Sequence, residues 1–66
     1  MEVIKLTTAA KILGISPQAL RERMKAGVYD IGVVYKPKGS SHYSYDIFKG
    51  RFESLIGRQI EERELK

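Results

Sequence analysis

The chain has no cysteine. Disulfide bridges and thiolate metal sites are therefore excluded, and so short a sequence must draw its stability from one packed core. It has a single histidine, too few for an imidazole cluster, so no metal and no other cofactor is expected. No apolar run approaches the roughly 18 residues of a membrane span. No charged-then-apolar leader opens the sequence either. These absences predict no membrane partner and a cytoplasmic location. There is also no acid/base pair, phosphate-cradling glycine loop or ordered Ser/His/acid set, so no catalytic residue is expected and the chain reads as a non-enzyme. The 66 residues hold no internal repeat, low-complexity tract or long linker.

What the sequence does have is uneven charge. Residues 1–52 carry nine Lys/Arg against four Asp/Glu, a net of +5, whereas residues 53–66 carry three against four. A basic body points to a polyanionic partner, and a near-neutral tail gains little from phosphate. Solubility alone explains a modest positive charge equally well. The arrangement of the charges shifts the balance.

The chain is organised around Thr7 to Gly27, TTAAKILGISPQALRERMKAG. It predicts two short helices with a tight turn between them. Ala9, Ala10, Ile12 and Leu13 form an apolar, close-packing face on the first helix, met by Leu20 and Met24 on the second, with Leu13 and Ile15 closing the corner. Gly14 suits a left-handed turn, Ser16 suits an N-cap, and Pro17 suits the first helical position, where its missing N–H costs nothing. Gly27 ends the second helix. Thr7 or Thr8 is expected to cap the first helix, with phosphate contact at that helix start as the minor alternative. Two helices joined by a glycine-containing turn form the helix-turn-helix pattern, whose second helix enters the DNA major groove.

The outer face of that second helix carries Gln18, Ala19, Arg21, Glu22 and Lys25, with Arg23 to the side. Gln pairs bidentately with adenine and Arg with guanine, while Glu accepts from cytosine. A charged outer face is more often merely solvated. However, Arg21 and Lys25 are like charges four apart, which costs helix stability that a solvated face does not recover and a phosphate-facing one does.

From Val28 to Tyr45 the period changes to two: Ile31, Val33 and Tyr35 alternate, then Tyr43 and Tyr45. Between them Lys36-Pro37-Lys38-Gly39-Ser40-Ser41 predicts a type I turn at the tip of a basic β-hairpin. Lys36, Lys38, Ser40, Ser41 and His42 cluster there, giving a wing or an ordinary solvated hairpin. The four tyrosines read as core packing, because they form no platform interleaved with cations. Asp46 is expected to start a last helix whose core face is Phe48, Phe52, Leu55 and Ile56, with Lys49, Arg51 and Glu53 pointing away. Gly50 weakens that helix by roughly 1 kcal/mol relative to Ala, a cost that close packing of another element would explain. Gly57 reads as a C-cap or an interruption. Residues 58–66 hold only Ile60 and Leu65 as apolar residues, so they read as a frayed or partner-docking tail outside the core.

Taken together, TAAKILGISPQALRERMKAG, the basic hairpin and SYDIFKGRFESLI resemble the excisionase-type winged helix-turn-helix domains of phages and integrative elements, which are related in fold to the MerR-type DNA-binding domain. The resemblance covers roughly residues 4 to 56 and rests on Ala9-Ala10, Leu13-Gly14-Ile15-Ser16, Leu20, Met24 and Gly27. It departs at Thr8, where many relatives carry an acid, at Arg23, where many carry an aromatic, and in the length of the hairpin. It implies a mainly α fold with a small β-hairpin, a DNA-binding domain over residues 1–57 and a tail over 58–66. It further implies a recombination directionality factor that bends double-stranded DNA in the nucleoid. Its partners would be an integrase or recombinase, or further copies of the chain on adjacent sites. A small phage-type repressor is the alternative, and an adaptor acting through the tail is a third reading. The expected DNA contacts are Ser16, Pro17, Gln18, Arg21, Glu22, Arg23 and Lys25 on the second helix and its start. Lys36, Lys38, Ser40, Ser41 and His42 would act from the hairpin tip, and Thr7 near phosphate.

Overall fold

The Gly14-Ile15-Ser16-Pro17 sequence sets the first corner. In the computed structural model, which describes residues 2–65, helix α1 spans Leu6–Leu13 and helix α2 spans Pro17–Lys25. Gly14 takes φ 74°, a left-handed conformation that a side chain would strain. Its N–H is returned to the Lys11 carbonyl, and that of Ile15 to the Ala10 carbonyl. Ser16 Oγ then accepts from the Ala19 N–H at 3.1 Å, and Pro17 occupies the first helical position. The expected turn and cap are as read from the sequence. The first cap is not. Lys5, in extended backbone and without a side-chain hydrogen bond, precedes α1. Thr7 and Thr8 lie inside the first turn, because the helix begins ahead of both, at apolar Leu6.

The strands are β1 (Val3–Ile4), β2 (Gly32–Tyr35) and β3 (Ser44–Phe48), and helix α3 spans Lys49–Ile56. They form an antiparallel sheet in the order β1-β3-β2, so the fold is mixed α/β rather than mainly α with a lone hairpin. The reason is β3. It is the central strand, pairing Val3 with Phe48 and Ile4 with Ile47 on one edge and Gly32 to Tyr35 with Ile47 to Ser44 on the other. That demand holds Asp46, Ile47 and Phe48 extended, so Asp46 is a strand residue and not a helix cap. Phe48, at the N-cap position of α3, stays half-buried with the Arg51 guanidinium 5.4 Å from its ring centre.

The core contains Ile4, Ala9, Ala10, Leu20, Met24, Ile31, Ile47, Phe52 and Ile60. Ala9 and Ala10 let α1 approach its neighbours closely, and Leu13 and Ile15 pack at the margin of this cluster. Two phases differ from the expected ones. Ile31 is buried although it precedes β2, where a bend frees it from the pleat. Inside the strand, Val34 packs inward while Val33 and Tyr35 are exposed at 43% and 45%. In α3, Phe52 is fully buried and Ile56, four residues on, packs against the core, but Leu55 is 43% exposed. Tyr29 and Tyr45 pack against the core, whereas Tyr35 and Tyr43 do not.

The tail is part of this core. After Gly57, which caps α3, the chain returns toward α1 and ends in a 3₁₀ turn, Glu62–Leu65. Ile60 is 6% exposed and Leu65 packs beside it. Glu53, expected to point away, accepts the Ile60 N–H at 2.7 Å. Arg58 donates twice to Glu64, both at 3.0 Å, and Glu64 also accepts the Glu61 N–H. The Arg58 hydrogen bonds, followed by the Glu61 N–H, hold the Glu64 carboxyl below its usual range, and Glu64 raises Arg58 in turn. The expectation of apolar tail residues outside the core is corrected. One isoleucine in non-helical chain has no periodicity to announce it. No helix among the described residues is long and apolar enough to cross a membrane.

Candidate nucleic-acid interface

Burial of Leu20 and Met24 rotates the opposite side of α2 outward, carrying Gln18, Glu22, Arg23 and Lys25 into solvent and leaving Arg21 half-exposed. The hairpin tip lies alongside. Gln18 and Arg21 share an open concavity of about 390 Å³ with Ser41, His42, Tyr43 and Tyr45. Lys25 Nζ stands 4.5 Å from the centre of the Tyr43 ring, a cation–π contact joining the far end of α2 to the hairpin. Arg23 turns instead to Tyr29, donating to its hydroxyl at 3.4 Å with the guanidinium 5.9 Å from the ring centre. Gln18 Nε2 donates to Glu22 Oε1 at 3.3 Å, so these two side chains act as a unit.

The hairpin tip is ordered by its own hydrogen bonds. The Ser40 N–H donates to the Pro37 carbonyl at 3.0 Å, and Gly39 takes φ 82° at the third turn position. Lys38, at the second, has no positive φ, so the turn is type II rather than the expected type I. Pro37 opens it. Ser40 Oγ accepts from the His42 N–H at 3.1 Å and donates to the His42 carbonyl at 3.2 Å, fixing the backbone beneath the imidazole. Lys36 and Lys38 are exposed beside it.

The ion pairs clarify which charges are free. Lys49 pairs with Glu2 and Arg51 with Asp30, both at 3.5 Å, while Arg58 pairs with Glu64 and Arg63 with Glu61. Among the described residues, Arg21, Arg23, Lys25, Lys36 and Lys38 enter no ion pair. Glu2, Asp30, Glu61 and Glu64 pair with cations of α3 and the tail, and α2 with the hairpin tip keeps a net positive charge beside its one acid, Glu22, which Gln18 holds.

Of the residues expected to act together, Gln18, Arg21, Ser41 and His42 are brought into one concavity. Glu22 and Lys25 adjoin it through Gln18 and Tyr43. Ser16 and Pro17 are committed to starting α2. Thr7, on α1, does not line the concavity. Tyr43 and Tyr45 line it without having been expected there, and the available signal was only their position directly after Ser41-His42. No metal-holding cluster occurs among the described residues. Comparison of the chain with family models, with curated proteins and with solved structures finds no match.

Proposed function

We propose that this chain binds double-stranded DNA as a winged helix-turn-helix, with α2 in the major groove and the β2–β3 hairpin as the wing on the backbone. The observation that carries the reading is the set of cations on α2 and the hairpin tip that enter no ion pair, with Arg21 lining the concavity and Lys25 reaching Tyr43 at its edge, while Glu2, Asp30, Glu61 and Glu64 pair with the cations of α3 and the tail. A merely solvated face needs no such segregation; a duplex does. The Gln18–Glu22 unit presents both an amide and a carboxylate toward the groove floor, the chemistry that distinguishes base edges.

Neutralising about four to six phosphates should make log affinity fall linearly with log salt, with a slope of about −4 to −5. Mobility shift of a random-sequence duplex across a salt series measures it. A duplex held equally well at low and moderate salt would rule the reading out.

Within DNA binding, the role proposed is architectural, in the manner of an excisionase: neighbouring copies on adjacent sites, with an integrase or recombinase as further partner. A single module of this kind covers only about 600–1,000 Å², and bending a short site costs on the order of 1–6 kcal/mol, so several copies hold a bend better than one. Stepwise cooperative complexes are expected on a natural site, with mobility that depends on where the site lies along a fragment. One complex on one palindrome, insensitive to site position, would favour a repressor.

A further inference from the structure

The concavity between α2 and the hairpin tip has more specific chemistry than a basic surface. Its lining offers the Arg21 guanidinium, the His42 imidazole, the Ser41 hydroxyl, the Gln18 amide and two tyrosines, and no carboxylate. The concavity beside α3 is different, lined by Glu2 and Glu62 with one lysine. The one beside α1 has its Arg58 already held by Glu64. An anion entering between α2 and the tip meets the Arg21 guanidinium and the Ser41 and tyrosine hydroxyls, and the nearest carboxylate, Glu22, is engaged by Gln18.

We infer that this concavity seats one backbone phosphodiester of the duplex, clasped between Arg21 and a protonated His42, so that wing docking is coupled to proton uptake. The inference rests on the DNA-binding reading above and adds to it a ligand group, a residue pair and a regulation. Arg21 is half-buried and lines the concavity together with Ser41 and His42 of the tip. That position suits a phosphate oxygen better than the guanine edge the sequence alone suggested. The fork of the guanidinium matches two phosphate oxygens. Ser40 fixes the His42 backbone from both sides, which sets the point on the rim from which the imidazole projects before the ligand arrives.

The sign of the coupling follows from the ligand charge. Phosphate favours an imidazolium, so the contact is present at low pH and is lost as pH rises through the range in which imidazoles ordinarily lose their charge. The groups facing this imidazole are Arg21 and Gln18 from α2, Tyr43 and Tyr45 from the hairpin, with Lys25 behind Tyr43 and Glu22 behind Gln18. Histidine is the side chain whose charge ordinarily changes between pH 5 and 8, and His42 is the only one in the chain.

The test is binding of a random-sequence duplex at fixed salt, at about pH 5.5 and about pH 7.5, a window bracketing imidazole titration. The full chain should bind about three- to tenfold tighter at the lower pH, as one added charge-assisted contact implies. His42→Gln should lose that ratio, and its salt slope at low pH should shrink by about one phosphate. His42→Lys, permanently charged, should bind tightly at both pH values. Arg21→Ala should weaken every duplex alike. Because each ratio is taken within one variant, a modest change in folding does not mimic the result. If the full chain binds duplex with no pH ratio, or His42→Gln keeps the ratio, the clasp is wrong and DNA binding stands. If the full chain fails to bind duplex at low salt at either pH, both readings fall together.

Discussion

Deleting residues 58–66 is expected to remove most of the stability of the domain. Ile60 is 6% exposed and comes from the far end of the chain to lie with Ala9, Ala10 and Phe52 in one core. Burying such a side chain contributes about 1.5–3 kcal/mol, and the cavity left by its loss raises the cost to about 2–5 kcal/mol. The Glu53 carboxylate would also lose the Ile60 N–H it holds at 2.7 Å, and hydrogen bonds to charged groups contribute about 1.5–3 kcal/mol. A core of this size rarely supplies more than about 3–5 kcal/mol in all. The two losses together match that whole. Ile60→Ala alone should lower the urea midpoint severely, and the deletion should leave a chain without a cooperative melt. Arg58→Gln, by contrast, breaks a pair that lies in solvent and should change little. Its partner Glu64 has a lowered carboxyl pKa, so what the clasp contributes is present above the ordinary carboxylate range and is lost as pH falls through the lowered value. A truncated chain that melts within a few degrees of the full one would show that the tail is an accessory.

The corner between the two first helices was legible because its chemistry is local. Gly14, Ser16 and Pro17 each answer a backbone requirement within three residues of themselves, and Leu20 and Met24 repeat at the helical period. The candidate site was legible to the same extent, since Gln18 and Arg21 follow from the buried face of α2. The turn at Pro37–Ser40 placed Ser41 and His42 at a tip. What could not be read was anything fixed by distant pairing. Asp46 to Phe48 looks like a helix start until β1 and β2 pair with it from both edges as the middle of a sheet. Ile31 carries the alternation of Val33 and Tyr35, yet a bend places it on the opposite side. Tyr43 and Lys25 are separated by 18 positions, and nothing at either residue signals that one covers the other.

Two glycines carry the same lesson and give opposite expectations. Gly50 looked like a site of close approach, because a glycine in a helix costs stability that something should offset. A Cβ added there meets nothing within 4 Å. Gly50→Ala should therefore stabilise the domain by about 0.5–1 kcal/mol, raising Tm by roughly 2–8 °C. The close approach is at Gly32 instead. There β2 passes so near β3 that an added Cβ would lie 1.8 Å from the Asp46 carbonyl oxygen and 2.9 Å from the Ile47 Cα. Both are backbone atoms of the central strand, which is pinned by β1 on its other edge and cannot swing away as a flexible side chain would. Relief has to come from displacing β2. Overpacking ordinarily costs about 1–3 kcal/mol, and a clash with backbone belongs at the upper end or beyond. Gly32→Ala should lower Tm by on the order of 12–24 °C. It should also weaken duplex binding beyond what the lost stability explains, because β2 leads into the tip that carries Lys36, Lys38 and His42. Thermal melts of the two variants beside the full chain decide the matter. A Gly32→Ala protein that melts with the full chain would mean that the two strands are further apart than this sheet requires.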